Sequence, residues 1–321
     1  MNSTYVVPEP LGPYTYPYLW LWQTHNIILV VTLILTFVLL LASPFHKIDA
    51  AYGRLAKNKR SIHAVGSGDW MINGRFAWWF MEAPTIYVAI VFYFFVGGNE
   101  SSGWRWPQYR FNAAPLVMFC LYEFHYVQRV CIYPMISNSS QVSLTILAAS
   151  FISNTLTCYL IMNFISDMGI YPDVWLYDPR FLLGLLIFLS GYVINRMSDH
   201  ILISLRKRNL SNEEQETESL LKKNDHLDNV IDPDVYVNPE TKRVYYVPRG
   251  WLFEYVSCAN YFGEVLIWFG FALLTFSLEG LALFILTVGN LLPRALKYHR
   301  FYQEHFPNYP KARKALIPFV L

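Results

Sequence analysis

Charge is scarce in this chain. Asp, Glu, Lys and Arg make up 15% of its 321 residues, against 54% hydrophobic residues. That leaves too little charged surface for a soluble particle of this length and excludes an ordinary pair of water-soluble domains. The formal charge of +2 is too small to draw nucleic acid, and no basic run is interleaved with aromatics, so no nucleic-acid partner is expected. Cysteine is sparse as well: Cys120, Cys131, Cys158 and Cys258 form no CxxC pair, lie in or beside apolar segments, and read as buried thiols acting as small apolar side chains. The sequence also lacks GxGxxG, a Walker loop, HExxH, GxSxG and any metal-spaced Cys/His set, which disfavours a Rossmann dehydrogenase or a zinc enzyme; no metal is expected. Residues 1–26 contain no Lys or Arg and so lack the basic start of a cleaved signal peptide.

What is present is apolar length. Residues 26–43 form a run without charge that is long enough to cross a bilayer core of about 30 Å. Further spans are expected over 76–97, 113–136, 141–165, 181–204, 255–276 and 279–296, giving seven transmembrane helices in a single all-α membrane domain covering 1–321. The segment after the first span carries six Lys and Arg, that after the fifth carries eight between Arg206 and Arg249, and the tail from Arg294 carries six; the opposite side has Arg105, Arg110 and Arg180. Positive charge is retained in the cytosol, so the N-terminus is expected outside or in a lumen and the C-terminus in the cytosol. Residues 1–26 then read as a lumenal arm, and 206–249 as a charged cytosolic loop, flexible over about 209–240. Asn2 and Asn99 head glycosylation sequons on the non-cytosolic side.

Polar residues inside the apolar segments are costly and are read first as functional. Glu82 stands alone in FAWWFMEAPTIYVAIVFYFF. Two readings stay open for it: a helix-end Glu that stabilises a kink beside Pro84, or a carboxylic acid kept neutral so that it donates a hydrogen bond to a substrate carbonyl. In the third span, spacings of three and seven put Tyr126, Arg129 and Tyr133 on one face; the alternative is an Arg network with backbone carbonyls. Asn195, Asp199, Leu202 and Arg206 form a stripe leading to the cytosolic edge, suited to a ribose or amide and ending on a phosphate. Asn260 and Glu264 lie one turn apart, while Arg294, Lys297 or Tyr298, and Tyr302 share a face near the cytosolic mouth. Guanidinium groups there suit a phosphorylated ligand or lipid head groups, and Lys311, Arg313 and Lys314 read as head-group anchors.

With these residues in view, the chain resembles the steroid 5-alpha-reductase family. The match is strongest in VPRGWLFEYVSCANYFGE, RALKYHRFY and NYPKARKALIPF, good in PDVWLYDPRFLLGLLIFLSGYVINRMSDHILISLRK, and weaker in FAWWFMEAPTIYV and FHYVQRVCIYPM. The resemblance implies a seven-helix bundle in the endoplasmic reticulum membrane, working as a monomer, that uses NADPH to reduce the 4,5 double bond of a 3-oxo-4-ene steroid. It assigns Glu82 and Tyr126 to the ketone oxygen. It assigns Tyr133, Asn195, Asp199, Arg206, Asn260, Glu264, Arg294, Tyr298 and Tyr302 to the cofactor, with 76–205 shaping the substrate pocket and part of the cofactor site and 250–321 the rest of the cofactor site. Three departures stand out: Lys297 and Tyr298 replace a histidine run before His299, SNSSQVS replaces a basic loop after Tyr133, and the 206–249 loop is long. A trans-2-enoyl-CoA or polyprenol reductase, and a non-catalytic sterol-binding protein, are the competing readings.

Overall fold

In the computed structural model, residues 25–32, 70–95, 111–136, 141–211, 234–238 and 244–321 are described, side chains of 206–211 excepted. The expected arm over 1–24, the larger part of the first span, the sequons at Asn2 and Asn99, most of the charged loop and the Arg206 side chain lie outside them. Residues 25–32 form helix α1, so helix begins before the expected boundary at Asn26. His25 is wholly buried there, its Nε2 2.8 Å from Glu279 Oε1 and its Nδ1 3.2 Å from Asn163 Nδ2, which ties α1 into the bundle.

Side-chain caps fix where several of the other helices start. Asn73 Oδ1 accepts from the backbone N–H groups of Arg75 and Phe76 and opens α2, Gly74–Glu82. Within the expected second span, Pro84 has no N–H to continue the ladder, so the membrane-length stretch Gly74–Phe94 is kinked into α2 and α3, Pro84–Phe94. The Thr85 hydroxyl takes up the Glu82 carbonyl at 2.7 Å, so the kink is satisfied without the Glu82 carboxylate. The third span is α4, Ala113–Val127, a π turn over Gln128–Ile132, and α5, Tyr133–Ile136. Ser143 caps α6, Leu144–Asn163. Asp178 accepts from the Arg180 N–H at 2.8 Å to open α7, Pro179–Ser211; the Arg180 guanidinium beside it holds the Asp178 carboxyl down at about 2, so the cap stays ionised at neutral pH. After α8, Ala259–Thr275, Ser277 caps α9, Leu278–His305.

By length and apolar composition four described helices can cross a membrane: Gly74–Phe94, Leu144–Met168, Pro179–Leu205 and Leu278–His305, with Ala259–Thr275 apolar but shorter. The chain is thus a mainly helical, multi-pass membrane protein. Leu182, Leu186, Leu189, Val193 and Met197 recur at helical spacing on α7 and are 44–63% exposed, a stripe suited to lipid. Strand is confined to two short antiparallel ribbons among the described residues. Met71–Ile72 (β1) pairs with Val142–Ser143 (β2), and Val235–Val237 (β3) with Val244–Tyr246 (β4). The second ribbon falls where an unstructured loop is expected, because Tyr236 and Tyr245 find partners in Phe301, His305 and Phe306 at the end of α9. Asp234 and Arg249 clasp its base at 2.8 and 3.0 Å.

α7 and α8 approach closely because glycines line their contact. A Cβ on Gly263 would lie 2.5 Å from the Asn195 backbone nitrogen, one on Gly191 2.7 Å from the Gly263 carbonyl oxygen, and one on Gly270 2.5 Å from the Phe188 nitrogen. Small residues let helix backbones touch where lipid gives no hydrophobic drive to association. Gly263→Ala is therefore expected to push the helices apart and carry Asn195 away from Asn260. Overpacking of this kind costs on the order of 1–3 kcal/mol, so thermal unfolding in detergent should occur several degrees lower. An unchanged melting temperature would show that the two backbones are free to separate.

The tail after α9 folds back on the turn before α8. Lys314 N–H donates to the Tyr255 carbonyl at 2.8 Å, and Ser257 N–H to the Lys314 carbonyl at 2.8 Å. Arg313 therefore corrects its expectation as a head-group anchor: it is 2% exposed, donates to the Pro248 carbonyl at 3.1 Å and lies 5.0 Å from the Tyr309 ring centre. Burial raises the Tyr309 phenol above its ordinary range, and its hydroxyl shares a 2.6 Å hydrogen bond with Ser257 Oγ. The cysteine expectation divides: Cys158 and Cys258 are buried, whereas Cys120 and Cys131 point outward, a position an apolar thiol tolerates against lipid.

Candidate active site

α7 and α8, held together by the glycine contact, carry the first layer of the site. Asn195 lies on the buried face of α7 and donates from Nδ2 to the Asn260 carbonyl at 2.8 Å and to Glu264 Oε2 at 3.1 Å. Its Oδ1 accepts from Arg196, whose Nη2 also reaches Asp199 Oδ2 at 3.0 Å. Asn260 Nδ2 lies 3.4 Å from Asp199 Oδ1 and completes the loop of partners. Asn195, Asp199 and Glu264 are all less than 9% exposed, so water does not compete strongly for these contacts.

Glu264 joins this layer to α4. Trp268 Nε1 donates to its Oε1 at 3.3 Å, His125 Nε2 stands 3.1 Å from the same oxygen, and Arg129 Nη1 lies 3.5 Å from Oε2. The neighbours of this carboxylate are all nitrogen atoms, arriving from α4, the π turn, α7 and α8 itself. A buried carboxylate needs such a shell, since the cost of removing it from water is otherwise uncompensated.

The second layer comes from α2, α4, the π turn and the start of α5. Arg129 Nη2 lies 3.5 Å from Glu82 Oε1, so one guanidinium spans Glu82 and Glu264. Trp78 supports it: its ring centre is 5.1 Å from the guanidinium carbon, and its Nε1 donates to the Arg129 carbonyl at 3.3 Å. Tyr133 also packs against that support, its ring 5.2 Å from Trp78. Tyr126 is buried beside Tyr122 and Trp268, at ring separations of 4.6 and 5.5 Å, in an aromatic cluster that also holds His125 and Phe271. The combination is a group of carboxylates and guanidinium ions against an aromatic wall, fit for a ligand with an apolar body and one polar end.

The structure thus brings Glu82, Asn195, Asp199, Asn260 and Glu264 into one polar assembly, with Tyr126 and Tyr133 at its aromatic border. Arg294, Tyr298 and Tyr302 stand on another wall, at successive turns of α9. Tyr298 packs with Cys258, Tyr261, Ala295 and Leu316, and Tyr302 stacks on Tyr309 with rings 5.4 Å apart and 4° from parallel. His299 turns instead toward Ser257 Oγ, at 2.6 Å. Sequence reasoning did not assign His125, Arg196, Trp78 or Trp268 to the site, and grouped Arg129 with its face only. The available signal for Arg129 and Arg196 was their charge within apolar runs; Trp78 and Trp268 carried none among so many aromatics.

The family model described as 3-oxo-5-alpha-steroid 4-dehydrogenase matches residues 140–215 and 229–321. The 3-oxo-5-alpha-steroid 4-dehydrogenase 1 of Rattus norvegicus is 35% identical over 233 residues, covering 70% of this chain and 78% of the relative. That of Bos taurus is 34% identical over 275 residues, 85% of this chain and 89% of the relative. The steroid 5-alpha-reductase DET2 of Solanum lycopersicum is 33% identical over 249 residues, 76% of this chain and 80% of the relative.

Proposed function

Because this chain belongs to the 3-oxo-5-alpha-steroid 4-dehydrogenase family, an oxidoreductase family acting on CH–CH groups, we propose that it reduces the 4,5 double bond of 3-oxo-4-ene steroids with NADPH. The observation that carries the reading is the polar assembly around Glu82, Arg129 and Glu264 set against the aromatic wall of Tyr122, Tyr126 and Trp268. A steroid is an apolar body with one ketone, and that pairing of surfaces suits it.

The cofactor fits the donor set. Ser198 Oγ and Arg196 Nε, in the same turns of α7 as Asn195 and Asp199, are buried without a hydrogen-bond partner among the described residues, and polar atoms left so are what a polar ligand satisfies. Tyr133, Asn195, Asp199, Arg206, Asn260 and Glu264 would hold the dinucleotide together with Arg294, Tyr298 and Tyr302, the guanidinium groups meeting its phosphates. When bound, it supplies a hydride to the carbon beta to the ketone.

The chain itself acts on the ketone oxygen. Negative charge grows there as the double bond is reduced, and Glu82 and Tyr126 donate hydrogen bonds to it as the enolate forms. In a site from which aromatic side chains exclude water, one such donor is worth about 3 kcal/mol, roughly a hundredfold in rate. A proton from solvent at the alpha carbon completes the reaction.

The proposed setting is a single membrane domain of seven spans in the endoplasmic reticulum, N-terminus lumenal and C-terminus cytosolic, acting as a monomer. In this reading the 76–205 helices shape the substrate pocket and 250–321 the rest of the cofactor site, and the Lys and Arg distribution supports a dinucleotide mouth on the cytosolic side. The decisive assay incubates the purified protein with NADPH and a 3-oxo-4-ene steroid and identifies the product. A 5-alpha-reduced 3-oxo steroid is expected. Reduction of an enoyl-CoA or a polyprenol in place of the steroid would replace this reading.

A further inference from the structure

Arg129 joins Glu82 to Glu264, meeting them at equal distances of 3.5 Å. We propose that Arg129 is a positioning residue that couples the two halves of the site, so that steroid at Glu82 tightens the hold on the dinucleotide at Glu264, and the dinucleotide tightens the hold on steroid. The inference rests on the functional reading above, which assigns Glu82 to the substrate and Glu264 to the cofactor.

The physical argument begins with one cation between two acids. Neither carboxylate holds the guanidinium closely, because the fork is shared: Nη2 faces Glu82 on α2 and Nη1 faces Glu264 on α8. Contacts of 3.5 Å lie at the outer limit of hydrogen bonding, so a small displacement toward either acid strengthens one contact and weakens the other. When the steroid ketone engages Glu82, the carboxyl carries a proton taken from solvent and donates a hydrogen bond to the ketone oxygen, and without its charge its hold on Arg129 falls. The guanidinium is then free to close on Glu264, which Asn195 and Trp268 already hold in place. That carboxylate is thereby fixed more firmly for the dinucleotide. Linkage makes the effect reciprocal in binding free energy.

The surroundings favour a displacement of this kind. Arg129 lies in the π turn Gln128–Ile132, a local winding common at functional sites. Trp78 forms a track, its ring face 5.1 Å from the guanidinium carbon and its Nε1 on the Arg129 carbonyl at 3.3 Å, so the side chain slides against a flat wall while its backbone is held. Asp199 also acts on Arg129 through space, and its own partners are Arg196 and Asn260. The cation is thus connected to the α7 stripe as well.

The test measures the dissociation constant of NADP+ for the full-length protein in detergent, with and without a saturating 3-oxo-4-ene steroid. NADP+ carries no hydride to transfer, so the ternary complex does not react. In the natural chain, steroid is expected to tighten NADP+ about tenfold, within the usual range for coupled sites. In Arg129→Lys, one ammonium on a flexible stem does not hold two opposed carboxylates, and the ratio should fall to near one. Trp78→Phe keeps the ring but loses the Nε1 contact, and should give an intermediate ratio even if Arg129→Lys fails to fold. A merely structural role would lower the melting temperature of both variants and leave the ratio at its natural value, and that result overturns the proposal. A natural chain that binds both ligands with a ratio of one also overturns the coupling but leaves the function standing. Failure of the natural chain to bind NADP+ removes the functional reading and the coupling with it.

Discussion

Glu82→Gln is expected to lower kcat for a 3-oxo-4-ene steroid by roughly a hundredfold or more while the protein stays folded. Glutamine keeps the length and shape of Glu82, and the backbone around it does not depend on the carboxylate: the kink at Pro84 is satisfied by the Thr85 hydroxyl, and Asn154 Nδ2 takes the neighbouring Met81 carbonyl at 2.7 Å. What changes is the donor. An amide N–H is far less acidic than a carboxylic O–H and gives less to an oxygen that is becoming an enolate. Since the lost interaction belongs to the transition state, kcat and kcat/KM should fall together, with KM nearly constant. Tyr126→Phe should show the same pattern, because it removes only the hydroxyl from a ring held by Tyr122 and Trp268. A selective rise in KM with unchanged kcat would mean that Glu82 only binds the steroid. Normal turnover would remove it from the reaction.

Much of this site was legible because apolar sequence makes polar residues conspicuous. Asn195 with Asp199, and Asn260 with Glu264, each lie four apart, and helical spacing put each pair on one face before any packing was known. Partners across helices were not legible, since they depend on how each helix is rotated. That rotation is set for α7 and α8 by Gly191, Gly263 and Gly270, whose value lies in the backbone atoms they approach, and a single sequence does not reveal those atoms. The π turn adds a second source of surprise. It changes the winding between Tyr126 and Tyr133, which regular spacing does not foresee; Arg129 and Tyr133 both meet Trp78. Arg313 failed for a different reason. A terminal basic residue is ordinarily solvated, and only the fold-back of the tail onto Tyr255 and Ser257 encloses it.

Glu264→Ala should cost the protein more stability than any other single change within the site. The carboxylate takes Asn195 and Trp268 as hydrogen-bond donors, lies 3.1 Å from His125 and holds one end of Arg129, and alanine leaves all four without it in a space that water enters poorly. Removing one partner from a buried ionic group typically costs about 3–5 kcal/mol, because the remaining charge keeps its desolvation penalty and loses its compensation. Arg129 keeps its contact to Glu82, so the cation is drawn toward α2 and away from α8. Glu264→Gln separates shape from charge: it fills the same volume and keeps one acceptor, but presents an NH2 group to a shell composed of donors. Thermal unfolding in detergent should therefore rank the natural chain above Glu264→Gln and Glu264→Ala lowest. NADP+ should raise the melting temperature of the natural chain and protect neither variant appreciably, since the carboxylate that would meet the dinucleotide is gone from both. Full protection of Glu264→Ala by NADP+ would move the cofactor off this acid and onto the α9 wall of Arg294, Tyr298 and Tyr302. In that case the charged cluster between α4, α7 and α8 would be a device for holding helices together, and Arg129 would be its pin.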